Sequence, residues 1–219
     1  MNRLTSHLFP APFAAFKTNW SNAWRLTSFK RQAFAIAVVS VFIVTFISDY
    51  LNFIESRPGH RISDLLLNIL EVRNLSIGIF ILLYSSILLS AINLSVSPIQ
   101  LLKAVQAFCL LTSLRMICLY LIPLEADASM IPLEDPFVGR YFYGDTLITK
   151  DLFFSGHVST MALLMLAIPY RPLKYYLIAA TALVAMFLLT QHVHYTIDVF
   201  AAPLFSWGSY TLVSKLRVK

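Results

Sequence analysis

Apolar residues gather along this chain into six long runs, approximately Gln32 to Phe53, Leu75 to Val96, Leu101 to Leu124, Leu152 to Tyr170, Tyr175 to Gln191 and Val193 to Ser214. Charges, or Pro98, Pro132, Pro136 and Pro172, mark the breaks between them. Each run is close to the roughly 20 helical residues needed to cross a hydrocarbon layer about 30 Å thick, where the backbone must satisfy its own polar groups. The pattern therefore predicts an all-α fold, an integral membrane bundle of six transmembrane helices. A shorter amphipathic piece, Ile62 to Val72, is expected along the interface before the second span. No internal repeat or low-complexity tract interrupts the pattern.

Composition agrees: of 219 residues 58% are hydrophobic and 13% charged, too few charges to cover a water-soluble domain of this size. A disordered chain, a collagen and a disulfide-rich scaffold are excluded as well. Cys109 and Cys118 both lie inside one apolar run and offer neither a disulfide framework nor a cysteine zinc cluster.

The charges are distributed unevenly. Six spans put both termini on one side, and on that side fall Arg3, Lys17, Arg25, Lys30 and Arg31 of the N-terminal arm, Lys103, Arg171 and Lys174 of two turns, and Lys215, Arg217 and Lys219 of the tail. All 11 acidic residues, from Asp49 to Asp198, fall at the other side. Because basic residues accumulate in cytoplasmic loops, both termini are expected to be cytoplasmic. Two parts follow, a basic and aromatic arm over residues 1–32 and a six-helix catalytic domain over residues 33–219. The arm lacks the apolar core and cleavage site of a secretory signal and is expected to be retained. It interleaves Phe9, Phe13, Phe16, Trp20, Trp24 and Phe29 with its cations, a composition suited to an anionic cytoplasmic leaflet, either as an interfacial helix or as a disordered arm. Pro10 and Pro12 disfavour helix in its first third.

Ionisable residues inside spans are costly and usually functional. The map places three at one depth on the non-cytoplasmic side: His157 in the fourth run, and His194 with Asp198 in the sixth. Four residues apart on a helix, His194 and Asp198 stand one turn above each other, so the carboxylate can hold one imidazole nitrogen and leave the other a free lone pair. His157 follows Ser155 and Gly156, which read as a helix start: Ser to cap, Gly to allow close backbone approach. Such a start seats an anion, with His157 beside it as proton donor or acceptor. Two histidines flanking one phosphate suggest phosphoryl transfer, one attacking phosphorus and the other protonating the departing oxygen. Arg115, near the outer end of the third run, could reach the same level and clamp a phosphate. Each feature also has a plainer reading, as a capped turn, a structural His-Asp pair, and an ion pair with a loop carboxylate. His192, His194 and Asp198 could be drawn as a metal site, but no cysteine or glutamate completes the shell, so no metal is expected.

The stretch from His194 to Ala202, H-Y-T-I-D-V-F-A-A, resembles the H-Y-T-x-D-V-x-x-A signature of the sphingomyelin synthase family, and Asp151 to His157, D-L-F-F-S-G-H, resembles that family's other catalytic motif. Arg115 to Tyr120, R-M-I-C-L-Y, is similar to a third family segment. The family lies within the type 2 phosphatidic acid phosphatase superfamily. The likeness covers residues 145–205; the first hundred residues match in topology only. Thr149-Lys150 replaces the usual Cys-Gly before the aspartate, Val158 the usual Thr after S-G-H, and Leu188 the Arg typical of the phosphatase branch. The changes bear on headgroup choice, because Lys150 would add a cation beside the phosphate seat.

The resemblance implies that His194 takes a phospho-headgroup from a glycerophospholipid, that Asp198 orients it, and that His157 serves the acceptor alcohol of ceramide or diacylglycerol, with Arg115, Lys150, Asp151, Ser155 and Gly156 binding substrate. The partners are then a phospholipid donor, a lipid-alcohol acceptor and the membrane itself, with the active site on the non-cytoplasmic face. Hydrolysis at the same site, as a phospholipase C or lipid phosphatase, is the runner-up, and a non-catalytic scaffold whose His-Asp pair merely joins helices is the third reading. With six glycines and neither G-x-G-x-x-G nor a P-loop, the chain implies no nucleotide, nucleic acid or soluble cofactor. A reporter fused after Lys219 is expected to be accessible from the cytoplasm; accessibility only from the far side would reverse the orientation.

Overall fold

A computed structural model describes residues 14–133, 135 and 148–216. Arg3, Phe9, Pro10, Pro12, Phe13, Pro136, Arg217 and Lys219, invoked above, lie outside the described residues. The described chain forms seven α-helices: α1 Ala14–Arg25, α2 Thr27–Ser56, α3 Ser76–Ser95, α4 Pro98–Leu121, α5 Gly156–Ala167, α6 Arg171–Thr190 and α7 Thr196–Ser214. Four of them, α2, α3, α4 and α6, are long and apolar enough to cross a membrane by length and composition.

The fourth expected run differs most. Leu152 to Tyr170 contracts to the 12 residues of α5, about 18 Å of helix at 1.5 Å per residue. It can be short because it is central: α5 packs against α3, α4, α6 and α7, so its ends meet protein and not hydrocarbon. Val158, Met161 and Leu163 of α5 join Ile79 of α3, Leu111 of α4, Val184 and Leu188 of α6 and Ala202 of α7 in one buried core. The residues before α5 are irregular because their carbonyls serve a side chain of α4, described below. The 19-residue α7 carries Pro203 within it.

By contrast, α2 is peripheral. It packs on α1 and α4 and turns Phe34, Val38, Phe42 and Phe46 outward, the composition of a lipid-facing helix. Within the arm, residues 14–25 form a docked helix. Asn19 Nδ2 donates to the Val96 carbonyl at 2.9 Å and Trp20 Nε1 to the Ser95 carbonyl at 2.7 Å, satisfying carbonyls that the end of α3 leaves without helical partners. Ala23 and Phe29 bury against Leu102 of α4. Pro98, expected as a break, is the first residue of α4, where a missing N–H costs nothing.

No helix forms over Ile62–Val72. The chain makes consecutive turns over residues 65–70, because the Asp64 carboxylate accepts the Leu66 and Leu67 amides and holds the backbone in a turn. Just before it, His60 and Leu124 form an isolated parallel bridge, with the His60 amide donating to Pro123 and the Glu125 amide to His60, both at 3.0 Å. Gly59 permits this approach: a Cβ there would lie 2.7 Å from the Leu124 carbonyl carbon. Gly59→Ala is expected to destabilise the protein by about 2 kcal/mol, read as a lowered denaturation midpoint in detergent, whereas an unchanged midpoint would show that the two loops separate freely.

Candidate active site

Two helix starts meet in the core. The Ser155 amide donates to the Asp198 carbonyl at 3.1 Å, which joins the first turn of α7 to the residue ahead of α5. Ser155 caps α5 as its sequence predicts, its Oγ accepting the Val158 amide at 3.4 Å. His157 follows in the first turn, with the Phe80 ring of α3 edge-on at 6.0 Å. His157 therefore stands beside the contact that joins α5 to the first turn of α7, with His194, Arg115 and Asp151 among its charged or ionisable neighbours.

Arg115 of α4 occupies the mouth of α5. Its Nε donates to the Phe154 carbonyl at 2.8 Å, and its Nη2 pairs with Asp151 Oδ1 at 2.5 Å and donates to the Asp151 carbonyl at 3.3 Å. The guanidinium lies against Gly156, where a Cβ would stand 3.0 Å from Cζ and 3.2 Å from Nε and Nη2. Glycine leaves room for this close approach, and any Cβ there would press on the guanidinium. The plainer reading of Arg115, an ion pair with a loop carboxylate, is present in the structure, and its Nη1 is not engaged by these contacts.

His194 and Asp198 are not on one helix. α7 begins at Thr196, so His194 precedes it, and Asp198 reaches back from the first turn: its Oδ2 accepts the Tyr195 amide at 3.0 Å and stands 3.5 Å from His194 Nδ1. The carboxylate is fully buried and His194 is 3% exposed. Nδ1 thus faces Asp198 at a distance too long for a hydrogen bond.

The short linker bearing His194 is pinned on both sides. α6 ends in a Schellman motif: the His192 amide donates to Leu189 and the Val193 amide to Leu188, both at 3.0 Å. His192 takes the left-handed position, φ 56°, which costs a non-glycine residue free energy, and its ring is tied by Nδ1 to Ser129 Oγ at 2.7 Å. It therefore belongs to the cap and to the loop bearing Asp127 and Ser129. Gln191, fully buried, donates through Nε2 to Ser76 Oγ at 2.9 Å and to the Ile131 and Pro132 carbonyls at 3.1 and 3.2 Å, and accepts the Leu75 amide at 2.9 Å. Tyr195 Oη donates to the Glu125 carbonyl at 2.9 Å.

Lys150 faces elsewhere than expected. Its Nζ pairs with Glu125 Oε1 at 2.9 Å and donates to the Arg57 carbonyl at 2.6 Å, and Glu55 accepts its amide and that of Thr149. The cation locks loops together, and its fixed partners keep it there. Sequence reading missed Asp64, whose oxygens accept the Thr196 amide at 2.6 Å and the Thr196 hydroxyl at 2.9 Å. Burial raises the Asp64 carboxyl pKa, but the hydrogen bonds from Thr196, Leu67 and Leu66 outweigh it and hold the group below its ordinary value of 3.8. The one local signal was an Asp beside a turn; its partner is 132 residues away.

Residues 150–215 match the PAP2 superfamily C-terminal family model. That segment contains α5, α6 and α7, hence Ser155, Gly156, His157, His194 and Asp198, and it ties this part of the chain to the type 2 phosphatidic acid phosphatase superfamily. Arg115 and Asp64 reach the site from outside it. No curated protein and no solved structure matches the chain.

Lys150 beside Glu125, with help from the Gly59 amide, holds the Glu125 carboxyl below its ordinary value of 4.5. A depressed acid stabilises the fold fully above its unfolded pKa, and that contribution is lost as pH falls through the lower folded value. Glu125→Gln is therefore expected to flatten the dependence of the denaturation midpoint on pH below about 4.5 while leaving histidine-range pH effects unchanged. A variant as acid-sensitive as wild type would show that this pair contributes nothing.

Proposed function

We propose that the protein is a membrane phosphotransferase that moves a phospho-headgroup from a glycerophospholipid to a lipid alcohol such as ceramide or diacylglycerol, through a phosphohistidine on His194. The observation that carries this is the pairing of two helix starts. One offers a nucleophilic imidazole oriented by a buried carboxylate, the other a helix N-terminus, a guanidinium and a second imidazole.

The phosphodiester sits at the start of α5, its charge met by Arg115 and the first-turn amides of that helix. His194 Nε2 attacks phosphorus as the bond to the glycerolipid oxygen breaks, and His157 delivers the proton that oxygen needs to leave as diacylglycerol. Asp198 stabilises the positive charge that develops on the His194 ring. The acceptor hydroxyl then attacks phosphorus, His157 takes its proton, the N–P bond breaks, and both histidines return to their starting states. Lipids approach sideways, which suits a site whose helices face hydrocarbon.

The PAP2 superfamily match supports an enzyme acting on phospholipid phosphate, and the six apolar runs together with the sidedness of charge support six crossings with cytoplasmic termini and a non-cytoplasmic site. Leu188, in place of the phosphatase-branch arginine, is fully buried in the core and favours transfer over phosphomonoester hydrolysis. Reconstituted protein supplied with headgroup-labelled phosphatidylcholine and phosphatidylethanolamine, with and without ceramide or diacylglycerol, is expected to form labelled lipid product that depends on acceptor. His194→Ala, His157→Ala and Asp198→Asn are each expected to reduce it by at least about 100-fold. Label released only as water-soluble product sinks the transferase reading in favour of hydrolysis, and turnover indifferent to both histidines sinks the enzyme.

A further inference from the structure

Two helix N-termini meet at the site, and each carries the positive end of a backbone dipole. They are treated differently. Arg115 lies over the start of α5, whereas the start of α7 is held by two carboxylates, Asp198 on the Tyr195 amide and Asp64 on the Thr196 amide and hydroxyl. Asp64 comes from the turn after the first long helix, and its own turn is rigid, since the same carboxylate accepts the Leu66 and Leu67 amides and its carbonyl accepts the Asn68 amide at 3.1 Å. Thr196 stands between His194 and Asp198. A shift of Thr196 therefore moves the imidazole and its orienting carboxylate relative to one another.

We infer that Asp64, acting through Thr196, is a positioning residue for His194. This rests on the phosphotransfer reading above. Its two hydrogen bonds fix where the backbone turns from linker into helix, and so fix the direction in which the imidazole faces phosphorus. Its negative charge at the start of α7 also closes that helix end to phosphate and leaves the start of α5 as the anion seat. Neither role requires Asp64 to touch substrate.

The test uses the full chain in nanodiscs with phosphatidylcholine labelled at phosphorus, acid-stable and base-stable label being separated by rapid quench to follow phosphohistidine formation. Asp64→Asn, which puts an NH2 where a donor must be accepted, and Thr196→Val, which removes the hydroxyl, are each expected to slow labelling of His194 by about tenfold or more with KM within about twofold. Thr196→Ser, which keeps both donors, is expected to label at the wild-type rate, and the Asp64→Asn, Thr196→Val double variant to be no slower than the slower single. Wild-type labelling rates in Asp64→Asn or Thr196→Val, losses that multiply in the double variant, or a change confined to KM would overturn the assignment. Should Asp64→Asn fail to fold, the Thr196→Val and Thr196→Ser pair decides it alone. Absence of His194 label in the wild type refutes the phosphotransfer reading and this one with it, whereas wild-type labelling that Asp64→Asn leaves intact refutes only the positioning role.

Discussion

The constraint on which the site depends is the immobility of a short linker between two apolar helices. Gln191 is bonded to Ser76, His192 to Ser129, Val193 to Leu188, Tyr195 to Glu125 and Thr196 to Asp64, and His194 sits in their midst. An imidazole on such a backbone is held in a fixed place, which the proposed nucleophilic role requires. Buried nucleophiles gain most from this kind of preorganisation, because a misplacement of about 1 Å can cost up to about 100-fold in rate. The left-handed backbone of His192 belongs to the same economy: local strain is tolerated where the surroundings over-determine the conformation.

The second constraint is the shortness of α5. A helix of 12 residues surrounded by four others can begin deep in the bundle, and its unpaired amides then face the interior. The unwound residues before it offer the carbonyls of Asp151 and Phe154 to Arg115, so an arginine of α4 is held in the core without an unpaired charge. The same arrangement explains why Gly156 separates the cap Ser155 from His157.

Around these sit loops whose charges serve structure. Lys150, Glu125, Glu55 and the His60–Leu124 bridge bind the connections after α2, after α4 and before α5 into one cover. Two carboxylates, Glu55 at the end of α2 and Glu125 in the loop after α4, thus act as acceptors for backbone or lysine. Asp64 differs by reaching the helix that bears Asp198, and so links the cover to the start of α7.

What the sequence by itself determined is what local pattern can encode. Apolar run length required membrane-crossing helices, Ser155-Gly156 required a capped start, and H-Y-T-I-D named a histidine and a carboxylate close in space. The positions of the helix ends were not legible. The sixth run reads as helix through His194, yet α7 begins two residues later, because Asp64 and Asp198 supply acceptors to the Tyr195 and Thr196 amides and make a helix start there favourable. Lys150 read as a cation for phosphate because its neighbours in sequence are candidate site residues, but its partners are Glu125 and Arg57. In each case the deciding partner lies in a distant loop, and a hydrogen bond between residues 132 apart leaves no periodicity in either segment. Only tertiary structure could assign Asp64 to Thr196 and Arg115 to Gly156, since what matters there is close approach in space, and spacing along the chain does not record it.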